Sequence, residues 1–374
     1  MRDDLIDLTS RLVAIDSVNP SLVPGGAGES EIAAFVAGWA RDAGLEAEVL
    51  EGTPGRPSVL VRARGTGGGR TLLLCGHVDT VTVDGMEAPH APRVDGDRLY
   101  GRGAYDMKAG VAAALIAARE AAALGLAGDV VVAAVADEEH ASLGVQEALR
   151  AVEADAAIVT EPTELAVVVA HKGFVWAEID VAGRAAHGSR PHLGVDAIVK
   201  AGPVLTALGA LDDELTAREH PLLGRGSVHA SVIAGGVELS SYPARCVIGL
   251  ERRTLPGESG ADVEAELGAL LDTCRAADPE LDASFRVLLE RDPFEADPAT
   301  PVVQALLTAT PGVAPGVAGA SYWADAAFIA AAGIPTAMFG PGGEGAHAQV
   351  EWVSIDDTVA VTETLLAVAE RLCA

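Results

Sequence analysis

Between residues 58 and 160 of this 374-residue chain, short apolar runs alternate with longer segments of helical periodicity, and that alternation limits the fold more than any other feature. Ser58–Ala63, Thr71–Cys75, Asp129–Val135 and Ala156–Thr160 have the length and composition of buried strands, while Met107–Leu124 and Leu143–Val152 read as helices. Strands apolar on both faces and joined by helices belong to a largely parallel sheet covered by helices, an α/β architecture. Two amphipathic helices precede it. The first, residues 3–15, carries Leu5, Leu8, Leu12 and Ile15; the second, opened by Ser30 and closed by Gly44, carries Ile32, Phe35, Val36 and Trp39.

The pattern changes near His171-Lys172-Gly173. Phe174–Val181 alternates like a half-exposed strand, followed by helix Val195–Leu211, strands Ser227–Ile233 and Ala244–Arg252, helix Ala261–Arg275 and strand Leu281–Leu289. This order predicts an α+β insertion at residues 174–291, splitting an α/β domain into residues 1–173 and 292–374. The α/β pattern resumes with helices Pro301–Thr308 and Ala324–Ala332, strand Pro335–Phe339 and helix Ile355–Leu372. Two domains suit a chain too long for one ordinary core, and hydrophobic residues at 49% suffice to fill both.

Charge and cysteine usage narrow the function. A formal net charge of −28, with Lys108, Lys172 and Lys200 the only lysines, argues against nucleic-acid or anionic-membrane partners, which need clustered cations. No run of roughly 18 uninterrupted apolar residues is present, and Met1-Arg2-Asp3-Asp4 does not start a secretory leader, so the cytoplasm is the expected location. Cys75, Cys246, Cys274 and Cys373 lack paired spacing, which leaves histidine and carboxylate as metal ligands.

Five segments carry such ligands. His77-Val78-Asp79 follows an apolar strand, where an imidazole can bind a metal while the acid two residues on orients it. Asp106 lies in Gly101-Arg102-Gly103-Ala104-Tyr105-Asp106-Met107-Lys108, Glu138-Glu139 and Glu161 follow two further strands, and His347 follows Gly340-Pro341-Gly342-Gly343. Carboxyl ends of strands in an open α/β sheet line one crevice, so ligands placed there converge. Two histidines and at least three carboxylates without thiolate suit a divalent metal such as zinc, and one carboxylate can bridge two ions. Lys108, a cation at a helix start, is expected to neutralise nearby negative charge.

In this combination the motifs resemble the co-catalytic zinc metallopeptidase and amidohydrolase family that includes acetylornithine deacetylase, succinyl-diaminopimelate desuccinylase, aminoacylase-1 and glutamate carboxypeptidase, across essentially the whole chain. The resemblance implies a zinc-peptidase-like catalytic domain with an inserted lid and dimerisation domain. It implies that His77, Asp106 and Glu161 hold one ion and Asp106, Glu139 and His347 the other, with Asp106 bridging, Asp79 orienting His77 and Glu138 as general base. Zinc is the first choice of metal, with cobalt or manganese as alternatives. In the family a lid histidine supplies an oxyanion donor to the partner subunit's site, and Gly183-Arg184-Ala185-Ala186-His187-Gly188-Ser189 matches that motif; Arg253 aligns with an arginine that grips a substrate carboxylate. Two departures stand out: Ser240 replaces an asparagine that meets substrate in many members, and Glu251 replaces the usual aspartate.

The expected activity is therefore metal-dependent deacylation of N-acyl amino acids by a homodimer. A dipeptidase or glutamate-type carboxypeptidase on the same two-metal site is the alternative. A non-catalytic relative that binds amino-acid ligands is more remote, because a binding protein need not retain Glu138. His90, His140, His171, His192, His220 and His229 receive no role.

Overall fold

A computed structural model describes residues 1–310 and 316–374. The principal strands, in chain order, are β1 (Glu46–Leu50), β2 (Ser58–Ala63), β3 (Leu72–His77), β4 (Val130–Val135), β5 (Ala156–Val159), β6 (Val167–His171), β7 (Gly173–Ala182), β8 (Ser227–Gly235), β9 (Arg245–Thr254), β10 (Asp282–Arg291) and β11 (Thr336–Met338). The helices are α1 (Arg2–Ala14), α2 (Ser30–Asp42), α3 (Ala109–Leu124), α4 (Leu143–Ala151), α5 (Ala197–Leu215), α6 (Gly260–Ala277), α7 (Pro301–Ala309), α8 (Ala326–Ala331) and α9 (Ile355–Leu372). The chain divides into two compact units: Met1–Val169 with Ala296–Ala318 and Ala324–Ala374, and Ala170–Glu295 with Gly319–Trp323. Sequence analysis put the divisions at 173/174 and 291/292; Gly319–Trp323, far along the chain from the insertion, joins the second unit through structure that no local pattern announces.

The first unit is built on a mixed sheet in the order β1-β2-β4-β3-β5-β11-β6, whose four central strands, β4, β3, β5 and β11, run parallel. This is the α/β class with a parallel core expected from the alternating runs, with antiparallel strands at its flanks. Every residue of β3, β4 and β5 is buried, as strands covered on both faces require. The path from β3 through α3 reaches β4 on one side, and that through α4 reaches β5 on the other. A crevice opens at such a switch point beyond the carboxyl ends, where ligands bind in open α/β sheets. Two glycines let neighbouring segments close on the end of β5: a Cβ at Gly110 would lie 2.1 Å from the Thr160 carbonyl oxygen, and one at Gly340 2.0 Å from that of Glu161.

The second unit carries an antiparallel sheet, β8-β9-β7-β10. Burial alternates along β7 and β9, so Val175, Ala177, Ile179 and Val181 join Cys246, Ile248 and Leu250 in a core shared with α5 and α6. Edge strand β8 is exposed from His229 onward, with Val232 and Ile233 in the open, and Val237 and Leu239 beyond it are fully exposed. No helix among the described residues is long and apolar enough to cross a membrane.

Candidate metal centre

The ends of three adjacent parallel strands deliver most of the cluster. His77 is the last residue of β3, Glu138 and Glu139 lie in the turn after β4, and Glu161 lies two residues past β5. Asp106 comes from a short kinked turn, Ala104–Lys108, non-helical at Asp106 and Met107, whereas sequence periodicity starts the helix at Met107. His347 sits on the loop beyond β11 in a left-handed conformation, φ +60°.

These side chains meet. His77 Nε2 lies 3.2 Å from Asp106 Oδ1, 3.8 Å from Glu161 Oε1 and 4.0 Å from Glu138 Oε2. His347 Nε2 lies 3.1 Å from Glu139 Oε2 and 3.4 Å from Asp106 Oδ2. Asp106 thus faces one histidine with each oxygen, the arrangement a bridging carboxylate needs. Among the described residues, the triads whose ligand atoms all fall within 4.8 Å are His77, Glu138 and Glu161, and His77, Asp106 and Glu139; neither contains a thiolate.

Electrostatics supports a cation there. Burial, reinforced by Glu161 and Asp325, pushes Glu138 well above the ordinary carboxylate range despite His77. Burial likewise raises Glu161 and Glu139. Although burial opposes ionisation of Asp106, bonds from His347 and His77 hold it below its usual value. Hydrogen bonding to Asp106 and Glu139 lifts His347 to about 10. Four converging carboxylates with two imidazoles form an electron-rich pocket whose hard oxygen and borderline nitrogen donors fit divalent ions such as zinc.

Behind the ligands lies a buried polar network. Asp79 Oδ1 accepts from the Glu138 amide at 3.1 Å and Oδ2 from the Glu139 amide at 3.3 Å, and the Asp79 carbonyl oxygen lies 2.9 Å from His77 Nδ1. Asp79 therefore holds both the imidazole and the glutamate pair. The side-chain nitrogen of Asn19 donates to Asp79 Oδ2 at 2.8 Å and to Asp137 Oδ1 at 3.0 Å. Arg56 also reaches Asp137 Oδ1, at 2.6 Å, and forms a two-pronged pair with Glu29, both contacts 2.7 Å. Asp137 adopts φ +67°, a conformation most residues avoid, and these bonds fix it there. Sequence reasoning missed Asn19, Glu29, Arg56, Asp137 and Asp325, whose partners are mostly tens of residues distant; the one local signal was Asp137 directly before Glu138-Glu139.

Lys108 is fully buried and donates to the carbonyl oxygens of Leu12 at 3.0 Å and Ile15 at 2.9 Å, so it closes the carboxyl end of α1; it forms no direct salt bridge among the described residues, while the negative charges of Glu351, Asp16 and Asp79 act on it from further off. In the second unit, His187 lies on an exposed loop with Nδ1 2.8 Å from Ser189 Oγ. That loop pairs with the segment holding Ser240: the Gly188 amide donates to the Ser240 carbonyl oxygen at 2.7 Å, and the Tyr242 amide to that of Ala186 at 2.9 Å. Arg253 donates to Glu251 at 2.8 Å and lies over the Phe174 ring, while Glu251 also accepts from Trp176 at 2.8 Å. Glu251 thus anchors two neighbours.

Imidazoles and carboxylates gathered at the strand ends of a parallel sheet are the equipment of a metallohydrolase. The chain belongs to peptidase family M20/M25/M40, whose model matches residues 73–371. It is 31% identical to an acetylornithine deacetylase of Myxococcus xanthus, over 97% of this chain and 96% of that protein, and 29% identical to one from Aliivibrio fischeri, over 96% and 97%. Its fold matches that of a Staphylococcus aureus tripeptidase with a TM-score of 0.82 at 20% identity, covering 100% of this chain and 99% of the other. A dinuclear metal-binding peptidase of Bacillus subtilis superposes with a TM-score of 0.77 at 15% identity, covering 100% and 98%.

Proposed function

We propose that this hydrolase removes the acyl group from N-acyl amino acids and uses two divalent ions, zinc first, with cobalt or manganese as substitutes. The observation that carries the reading is the convergence of His77, Asp106, Glu138, Glu139, Glu161 and His347 in one unit, in a chain whose full-length relatives are named acetylornithine deacetylase. In this reading His77, Asp106 and Glu161 hold one ion, and Asp106, Glu139 and His347 the other. Bound divalent ions supply Lewis acidity, which polarises a carbonyl and acidifies water.

The chain's own groups do the rest. With Glu139 taken as a ligand, its neighbour Glu138 stays free to take a proton from the attacking water and hand it to the departing amine. Asp79 keeps His77 and the Glu138–Glu139 turn in register. Arg253 grips the substrate carboxylate, and His187 donates to the oxyanion of the tetrahedral species in the partner subunit's site. The exposed edge of β8, with Val232 and Ile233 uncovered, supports a homodimer formed through the second unit, which also serves as the lid. A cytoplasmic location accords with four buried free cysteines.

A released-amine assay over N-acyl amino acids and dipeptides, with zinc, cobalt and manganese, tests the function. Turnover of N-acyl amino acids above dipeptides is expected. Preference for dipeptides, or for substrates trimmed from their carboxyl end, would favour the peptidase alternative, and no turnover of any would favour a ligand-binding relative. Mixing Glu138→Gln with His187→Ala subunits tests action across the dimer: one competent site per heterodimer should restore activity, and exchange without recovery would overturn it.

A further inference from the structure

We infer that Glu351 and Arg102 form a clasp that positions Asp106 and His347 together, so that the affinity for one of the two ions depends on residues that touch neither. The inference rests on the ligand reading proposed above. Glu351 is 1% exposed and Arg102 2%, and both lie in the first unit. Glu351 Oε1 accepts from the backbone amides of Tyr105 at 2.9 Å and Asp106 at 3.0 Å. Its Oε2 accepts from the Gly103 amide at 3.0 Å and from Arg102 Nη1 at 2.6 Å. Three amides of one turn therefore point into a single carboxylate, the concave arrangement by which a backbone captures an anion. The left-handed conformation of Gly103, φ +77°, begins that turn.

Arg102 extends the clasp to the other ligand. Its Nη2 donates to the Ala348 carbonyl oxygen at 2.8 Å, one residue past His347, and its Nε to the Thr82 carbonyl oxygen at 3.1 Å. A planar guanidinium spreads its donors over three nitrogens and so reaches three acceptors on separate segments, whereas the three donors of an ammonium share one nitrogen. The His347 loop thus hangs on Arg102, Arg102 on Glu351, and Glu351 on the turn that presents Asp106. Asp106 and His347 are 241 residues apart in sequence; the short strands Arg98–Tyr100 and Trp352–Ser354 pair with each other and Gly343–Glu344 pairs with the latter, so a small antiparallel sheet brings the two segments together, but neither ligand lies in it. The clasp continues that alignment beyond the sheet, into the turn and the loop whose ligands approach to 3.4 Å.

Glu351→Gln keeps the side-chain volume but places an amide group among donors. In metal-free full-length protein titrated with zinc or cobalt, followed by equilibrium dialysis and by the cobalt absorption spectrum, affinity for the ion on the His347 side should weaken about 10- to 100-fold and that for the other, which shares only Asp106 with it, by less, as outer partners of metal ligands typically do. Activity should return at high metal concentration, which a merely structural defect would not allow. Arg102→Lys, which leaves the amide bonds to Glu351 in place, should weaken the same ion to a smaller degree and serves if Glu351→Gln does not fold. Unchanged affinity for both ions in the folded variants would overturn the clasp. His347→Ala in parallel separates the two levels: an ion lost there but kept in Glu351→Gln and Arg102→Lys overturns the clasp alone, whereas both ions kept at full affinity in His347→Ala overturns the ligand reading and the clasp with it.

Discussion

The two histidines of the centre face the same aspartate from opposite kinds of structure. His77 ends a fully buried central strand, with 1% of its side chain exposed, and is backed by Asp79, Asn19 and Asp137. His347 sits on a loop with 55% of its side chain exposed. One half of the site is fixed by the central sheet, the other by a loop and a turn that hang from a small antiparallel sheet of Gly343–Glu344, Trp352–Ser354 and Arg98–Tyr100. The difference teaches that the rigid half can serve as a reference against which the loop half adjusts, and the Glu138-Glu139 pair straddles the two: Glu138 is 4.0 Å from His77, and Glu139 3.1 Å from His347.

The sharpest way to break this contrast is to exchange the neighbours. Glu138→Gln should retain metal and fold yet lose turnover on the order of a hundred- to ten-thousand-fold, as removal of a positioned base does. Glu139→Gln should instead lose metal from the His347 side. Steady-state kinetics with metal analysis decides, and reversed phenotypes would mean that the roles were assigned backwards.

Next in size is the support of the rigid half. Arg56→Met leaves Glu29 and Asp137 buried without their cation, so denaturant unfolding should register a loss of about 3–5 kcal/mol. A loss below 1 kcal/mol would show that Arg56 does not hold the network. The histidines come next: His77→Ala and His347→Ala should each lose metal in part, His77→Ala with a lowered Tm as well because its site is enclosed. Equal melting of the two variants in metal-free form would erase the contrast.

The smallest effect is a proton count. His347 is raised to about 10 in the metal-free protein, so its imidazole is protonated at pH 8. A metal needs the lone pair, so binding must expel that proton, and affinity should rise with pH up to about 10. The sign for the metal-free fold is opposite: the raised His347 value stabilises it below pH 6.5, and that contribution fades as pH climbs through 10. Indicator-dye titration with zinc at pH 8 should show about one proton fewer for His347→Ala than for the native chain. An equal count would put the His347 proton elsewhere.

Legibility in the sequence followed the same division. Strands β3, β4 and β5 announce themselves as continuous apolar runs, and His77, Glu138, Glu139 and Glu161 stand at their ends, where a switch point gathers them. Strand β1 was silent because it lies at the sheet edge and its residues are exposed or half-buried, leaving no apolar run to find. The helix was begun two residues early, at Met107 instead of Ala109, because the kink at Asp106 and Met107 has no periodic signature. The direct partners of Lys108 were not legible, because a cation can donate to a helix carbonyl as well as to an acid, and spacing does not distinguish them. Asn19, Arg56 and Glu351 act over 60, 81 and 245 residues, distances that propensity and periodicity do not span.

Asn19 also bears on how long such a centre can last. Asparagine ages into aspartate when the amide nitrogen of the following residue attacks its side chain and closes a ring, and here that residue is Pro20, which has no N–H to give. The amide that stands between Asp79 and Asp137 is thereby protected from becoming a third negative charge wedged between two others. A Pro20→Gly chain, stored warm, would carry its own clock: the deamidated fraction should grow by mass spectrometry, and metal content should fall in step with it.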